Sequence, residues 1–171
     1  SNAERSVVVV SAPGKRNKSD KKVTDMLYDC EALVRKGEPF GDVYAAIKER
    51  YVTIAKELGL PFGVLDEILD EVGSTIAKGA GPDYAASRGE FLHAKLMALY
   101  LGWEFVDAQE LVVIEDDGTV AEETYERIEK VLSTGTRYVF PGFYGISREG
   151  KVKTFSRGGR DITGAIVARA L

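Results

Sequence analysis

Ser156-Arg157-Gly158-Gly159-Arg160-Asp161-Ile162-Thr163-Gly164-Ala165-Ile166-Val167-Ala168-Arg169-Ala170-Leu171 is a two-glycine loop that opens into an Ala-rich apolar run of helical character. Such a junction makes an anion site. Backbone N–H groups are free at a helix start, the dipole is positive there, and the Arg157 guanidinium fork stands beside them. Gly158 and Gly159 allow close backbone approach or a left-handed turn. Asp161 is placed to cap the helix by accepting from its first free N–H groups.

Upstream of this junction lies Pro141-Gly142-Phe143-Tyr144-Gly145-Ile146, then a Glu149-Gly150 turn and the strand Val152–Phe155. Near the start, Val7-Val8-Val9-Val10-Ser11-Ala12-Pro13-Gly14-Lys15 reads as a strand and a loop, with Val23-Thr24-Asp25 after it. Between these come Ser87-Arg88-Gly89-Glu90 and Val106-Asp107-Ala108. In this order the blocks resemble the aspartokinases, within the amino-acid kinase family. The resemblance covers most of Glu4 to Leu171. It implies an α/β fold, a three-layer α/β/α sandwich with a mainly parallel sheet and Val7–Ser11 in its interior.

Aspartokinases begin with a strand and a Lys-Phe-Gly-Gly-Thr-Ser loop before the Val-rich segment. Beyond the Arg-Gly-Gly-x-Asp helix they continue into a nucleotide-binding half and regulatory ACT domains. Residues 4–171 are therefore expected to be a central, substrate-side part of a catalytic domain, inactive alone, with a helical elaboration over about 23–80. Ser1-Asn2-Ala3 reads as a scar of tag removal.

With 171 residues, 44% of them hydrophobic, one domain with a proper core is feasible. The net charge of -4 gives no electrostatic support to nucleic-acid binding. The cluster Lys15-Arg16-Lys18-Lys21-Lys22 is broken by Asn17, Ser19 and Asp20 and holds no aromatic residue to stack a base. It reads as a solvated loop. The lone Cys30 can form no disulfide within the chain, which suits a reducing, cytoplasmic setting. No apolar stretch approaches the ~20 residues that span a bilayer.

Val7–Ser11 is a β-branched run suited to a strand buried on both faces. Helices are predicted over Val23–Lys36, Val43–Leu58, Val64–Ala77, Tyr84–Leu101 and Ala121–Leu132 from their i, i+3, i+4 apolar spacing. Short strands are predicted at Glu104–Asp107, Leu111–Ile114 and Tyr138–Phe140. Strands alternating with helices argue for a parallel sheet covered on both faces.

The resemblance assigns roles. Arg157 would hold the α-carboxylate of the substrate with two parallel hydrogen bonds, helped by Gly158 and Gly159. Asp161 matches an aspartate at the reaction centre. Glu90 matches a glutamate that balances positive charge in the substrate site, Thr24 a threonine that hydrogen-bonds the substrate, and Phe143 an aromatic packed over it. Each also has an ordinary role: Glu90 as a solvated helical residue, Thr24 as a helix cap, Phe143 as core. Arg160 departs from the family, which most often has a substrate-contacting serine there. Pro13 departs too, and the stretch from Arg16 to Val23 makes the loop longer than in many members. His93 shares a helix face with Glu90, but one histidine and one cysteine make a poor metal set, and a satisfied or exposed histidine is expected.

The implied reaction moves the γ-phosphoryl group of ATP, with Mg²⁺, to the β-carboxylate of L-aspartate, the first step toward lysine, threonine and methionine. The family implies a homo-oligomeric parent protein. Two alternatives remain: an amino-acid kinase for another acidic substrate, which Arg160 favours, and a non-catalytic module that keeps the fold.

Overall fold

A computed structural model describes residues 6–156 and 159–171. In chain order these form β1 (Val7–Val10), α1 (Val23–Arg35), α2 (Gly41–Glu57), α3 (Asp66–Ala77), α4 (Pro82–Leu101), β2 (Glu104–Phe105), α5 (Ala108–Leu111), β3 (Val113–Ile114), α6 (Glu123–Leu132), β4 (Tyr138–Pro141), β5 (Tyr144–Ser147), β6 (Val152–Thr154) and α7 (Gly159–Ala170).

Strands β1, β4 and β2 form one parallel sheet in that order, with Val7 opposite Tyr138 and Glu104 opposite Tyr138 on the other side. A second sheet has the order β3-β5-β6, and its β5–β6 hairpin is antiparallel around the Glu149-Gly150 turn. Gly150 has a φ of 78°, the left-handed value that a tight turn favours.

Residues of β4 alternate between two faces, as a strand's period of two requires. Val139 meets Ala94 and Ala98 of α4 on one side. Phe140 packs with Ile128 and Leu132 of α6 and with Ile166 and Val167 of α7 on the other. These are the three layers. Helices α1, α2 and α3 form a further cluster against the outer side of α4, built on Leu27, Ile47, Tyr51, Leu69 and Leu92. Sandwiched in this way, α4 is buried nearly all round, from Ala85 to Ala98.

The structure corrects three expectations. Val7–Val10 is not interior: among the described residues β1 pairs with β4 alone, and its residues are half-buried. The strand expected at Glu104–Asp107 stops at Phe105, because Asp107 instead caps α5, accepting from the Gln109 amide at 3.1 Å. The strand expected at Leu111–Ile114 shrinks to Val113–Ile114, since Ala108–Leu111 is a helical turn. No described helix is long and apolar enough to cross a membrane.

Candidate functional site

In open α/β sheets, ligands bind beyond the carboxyl ends of the strands. Here β1 and β4 end side by side. The Gly142 amide donates to the Val10 carbonyl at 2.9 Å, so Ser11-Ala12 and Gly142-Phe143 leave the sheet together.

The Ser87-Arg88-Gly89-Glu90 turn of α4 faces that exit and is buried. Gly89 lies against the Ala12 loop and the first turn of α1: a Cβ there would stand 2.9 Å from the Ala12 Cβ and 3.7 Å from Thr24 Oγ1. Only glycine admits this approach. The buried Tyr51 of α2 donates to the Gly89 carbonyl at 2.7 Å. His93, one turn on, places Nδ1 on the Ser11 carbonyl. The Gly89–Ala12 approach and the His93–Ser11 bond thus pin α4 to the end of β1, while Tyr51 ties α2 to α4.

Glu90 is 5% exposed, so it is not a solvated helical glutamate. Its negative charge is felt by the phenols of Tyr28, Tyr51 and Tyr144. Each has a raised pKa, caused first by burial, with Glu90 adding to the shift. Thr24 is the second residue of α1 and does not cap it, since the position before the helix is Lys22. Its half-buried side chain lies near Gly89.

Phe143 has a φ of 81°, the only positive value of a non-glycine among the described residues. A bulky residue in this region is strained. Its backbone is held at both ends. The Phe143 amide donates to Thr163 Oγ1 of α7 at 3.0 Å, and its carbonyl accepts from the Phe155 amide at 2.9 Å. The start of α7 is thereby tied to the strand exit. Asp161 sits in the first turn of α7, two residues before Thr163, and is exposed. It lies inside the helix and not at its cap.

Gly159 and Arg160 open α7. Arg157 and Gly158 fall outside the described residues. Thr24 thus lies against the Gly89 turn that carries Glu90, Phe143 follows the end of β4, and Asp161 lies in the first turn of α7, the helix tied to Phe143. A cavity of about 590 Å³ between α3, α4 and β2 is lined by Leu65, Trp103 and Phe105 among others, and by none of these residues.

Several residues of this region went unread in the sequence. Arg88 is 4% exposed and its guanidinium lies over the rings of Phe91 at 4.1 Å, Tyr84 at 4.6 Å and Tyr144 at 5.2 Å. Tyr144 in turn donates to Asp107 Oδ1 at 2.8 Å. The basic loop from Lys15 to Lys22 is exposed, as expected, yet Arg50 of α2 reaches beneath it and is buried. The available signal was position: Arg50 falls three residues after Ile47 and six after Tyr44, on the apolar stripe of α2. Among the described residues no three His, Cys, Asp or Glu side chains gather to hold a metal.

The chain belongs to the amino acid kinase family, whose pattern it matches over residues 1–171. Within that family its relatives are aspartokinases. It is 36% identical to aspartokinase 3 of Bacillus subtilis, across the whole chain and 41% of that protein. It is 44% identical to the crystal structure of Clostridium acetobutylicum aspartate kinase, with a TM-score of 0.94, covering 98% of this chain and 39% of that one. Escherichia coli aspartokinase III, in complex with aspartate and ADP, shares the fold at 23% identity and a TM-score of 0.76, over 96% of this chain and 40% of its own. The chain thus spans about two fifths of the length of these relatives.

Proposed function

We propose that the protein carrying this chain is an aspartate kinase, transferring the γ-phosphoryl group of ATP to the β-carboxylate of L-aspartate to give 4-aspartyl phosphate, the entry to lysine, threonine and methionine. The observation that carries this is the 44% identity, at a TM-score of 0.94, to an aspartate kinase. Its physical support is a buried glutamate, Glu90, on the α4 turn that faces the carboxyl end of a parallel sheet, with Thr24 against the neighbouring Gly89.

A carboxylate has a pKa of about 4 and is already ionised at neutral pH, so the acceptor needs no general base. The barrier lies in bringing two anions together in line and spreading charge in a loose transition state. In this reading Arg157 holds the α-carboxylate, with Gly158, Gly159 and Arg160 around it. Thr24 hydrogen-bonds the substrate, Phe143 covers it, and Glu90 balances the ammonium. Asp161 orients the reacting groups. Mg²⁺ usually keeps several waters and takes only one or two carboxylates beside substrate phosphates. The described residues offer it no cage, so we place it with the nucleotide. The buried free thiol of Cys30 fits a cytoplasmic enzyme. The homo-oligomer implied by the family is part of the same proposal.

The test is ATP-dependent hydroxamate formation by the intact protein with a panel of amino acids. Aspartyl hydroxamate is the expected product. Turnover of a different acid, with aspartate ignored, would transfer the site to another substrate and give Arg160 the leading part. No turnover of any amino acid would favour a non-catalytic module.

A further inference from the structure

Arg50 is the most buried cation of the described residues, 2% exposed on the inner stripe of α2. Desolvating a guanidinium is costly unless it is paired and hydrogen-bonded. Its fork meets both ends of the long loop after β1. Nη2 donates to the Gly14 carbonyl, and Nη1 donates to the Lys21 carbonyl at 3.5 Å and stands 2.9 Å from Asp20 Oδ2. Asp20 also accepts from the Arg16 backbone amide at 2.9 Å and from Arg16 Nε at 3.1 Å. A single planar side chain therefore closes the base of the loop between Gly14 and Lys21.

What leaves that base is the candidate site. Two residues before Gly14, Ala12 presses on Gly89, and three residues after Lys21, Thr24 faces the same glycine. The excursion Lys15–Ser19 hangs outside the closure. A flexible excursion of that length would otherwise let its two ends drift apart.

We propose that Arg50, neutralised by Asp20, is a positioning residue for the amino-acid substrate: it clamps the base of the Gly14–Lys21 loop so that Ala12 and Thr24 stay seated beside Gly89 and Glu90. The proposal rests on the functional reading above. Lysine cannot replace it, because a point-charge ammonium does not span two carbonyls and a carboxylate as a planar fork does.

The test uses the intact protein with Arg50→Lys, Arg50→Met and Asp20→Asn. Steady-state kinetics read the KM for aspartate and for ATP separately, and amide hydrogen exchange reads residues 12–24. Arg50→Lys is expected to raise the aspartate KM about tenfold with the ATP KM unchanged, and to speed exchange at Arg16 and Lys21, whose amides donate to Asp20. Asp20→Asn, which keeps the guanidinium, is expected to move both readouts the same way by less, and it carries the test if Arg50→Met does not fold. Wild-type aspartate KM and wild-type exchange in Arg50→Lys would overturn the proposal. So would an equal rise in both KM values, which marks a general loss of structure. If the wild-type protein does not turn over aspartate, the functional reading fails on its own, and unchanged exchange in Arg50→Lys then overturns the clamp.

Discussion

Gly89 faces Ala12 so closely that a Cβ on the glycine would lie 2.9 Å from the Ala12 Cβ. Alanine would gain about 1 kcal/mol of helix propensity at this mid-helix position. Against that stands overpacking of about 1–3 kcal/mol, since neither methyl can rotate away. Gly89→Ala is therefore expected to lower stability and to push Ala12 off α4. Urea unfolding and amide exchange at Gly142, whose N–H donates to the Val10 carbonyl beside that loop, check it. A variant more stable than wild type, with Gly142 still protected, would show the approach to be slack.

Phe143 offers a sharper comparison. Alanine and glycine both remove the ring, but only glycine relieves a φ of 81°. Phe143→Gly is expected to be more stable than Phe143→Ala by about 1 kcal/mol. Paired thermal melts decide it, and the reverse order would mean that this backbone bears no strain.

His93 sets a pH dependence. It is the one histidine of the chain, and burial lowers its pKa below the ordinary 6.5 while the Ser11 carbonyl opposes the shift. Above pH 6.5 both folded and unfolded states leave it neutral. Below that, the unfolded chain takes up a proton that the folded chain resists, so stability falls as pH drops. The loss at pH 5.5 is at most about 1.4 kcal/mol. Urea midpoints at pH 5.5 and 7.5 should differ in wild type and converge in His93→Gln. Equal differences in the two proteins would assign the slope elsewhere.

Much of this fold was legible because long amphipathic helices announce themselves. Val23–Arg35 matches its apolar spacing to within a residue at the end, and α4 fits between Pro82 and Gly102. The strands were harder. Phe105 ends β2 because Asp107 spends its carboxylate as a cap, a choice that periodicity does not record. The edge position of β1 is equally hidden, since a run of four valines has the same composition at an edge as in a centre. For the site, Glu90, Thr24 and Phe143 were named through a family resemblance, and packing adds the burial of Glu90 and the place of Thr24 against Gly89. Arg50 shows the opposite failure. A charged residue on an apolar stripe reads as a surface group that strayed, until the loop it clasps is folded over it.

Glu90 is where the account is most exposed. The direct measurement is kcat/KM for aspartate in the intact protein, wild type against Glu90→Gln, with circular dichroism to establish that both are folded. If the buried carboxylate balances the ammonium of the bound amino acid, the isosteric amide removes only the charge. kcat/KM should then fall about a hundredfold with the fold unchanged. A folded Glu90→Gln protein with wild-type kcat/KM would contradict the placement of the substrate at the carboxyl ends of β1 and β4.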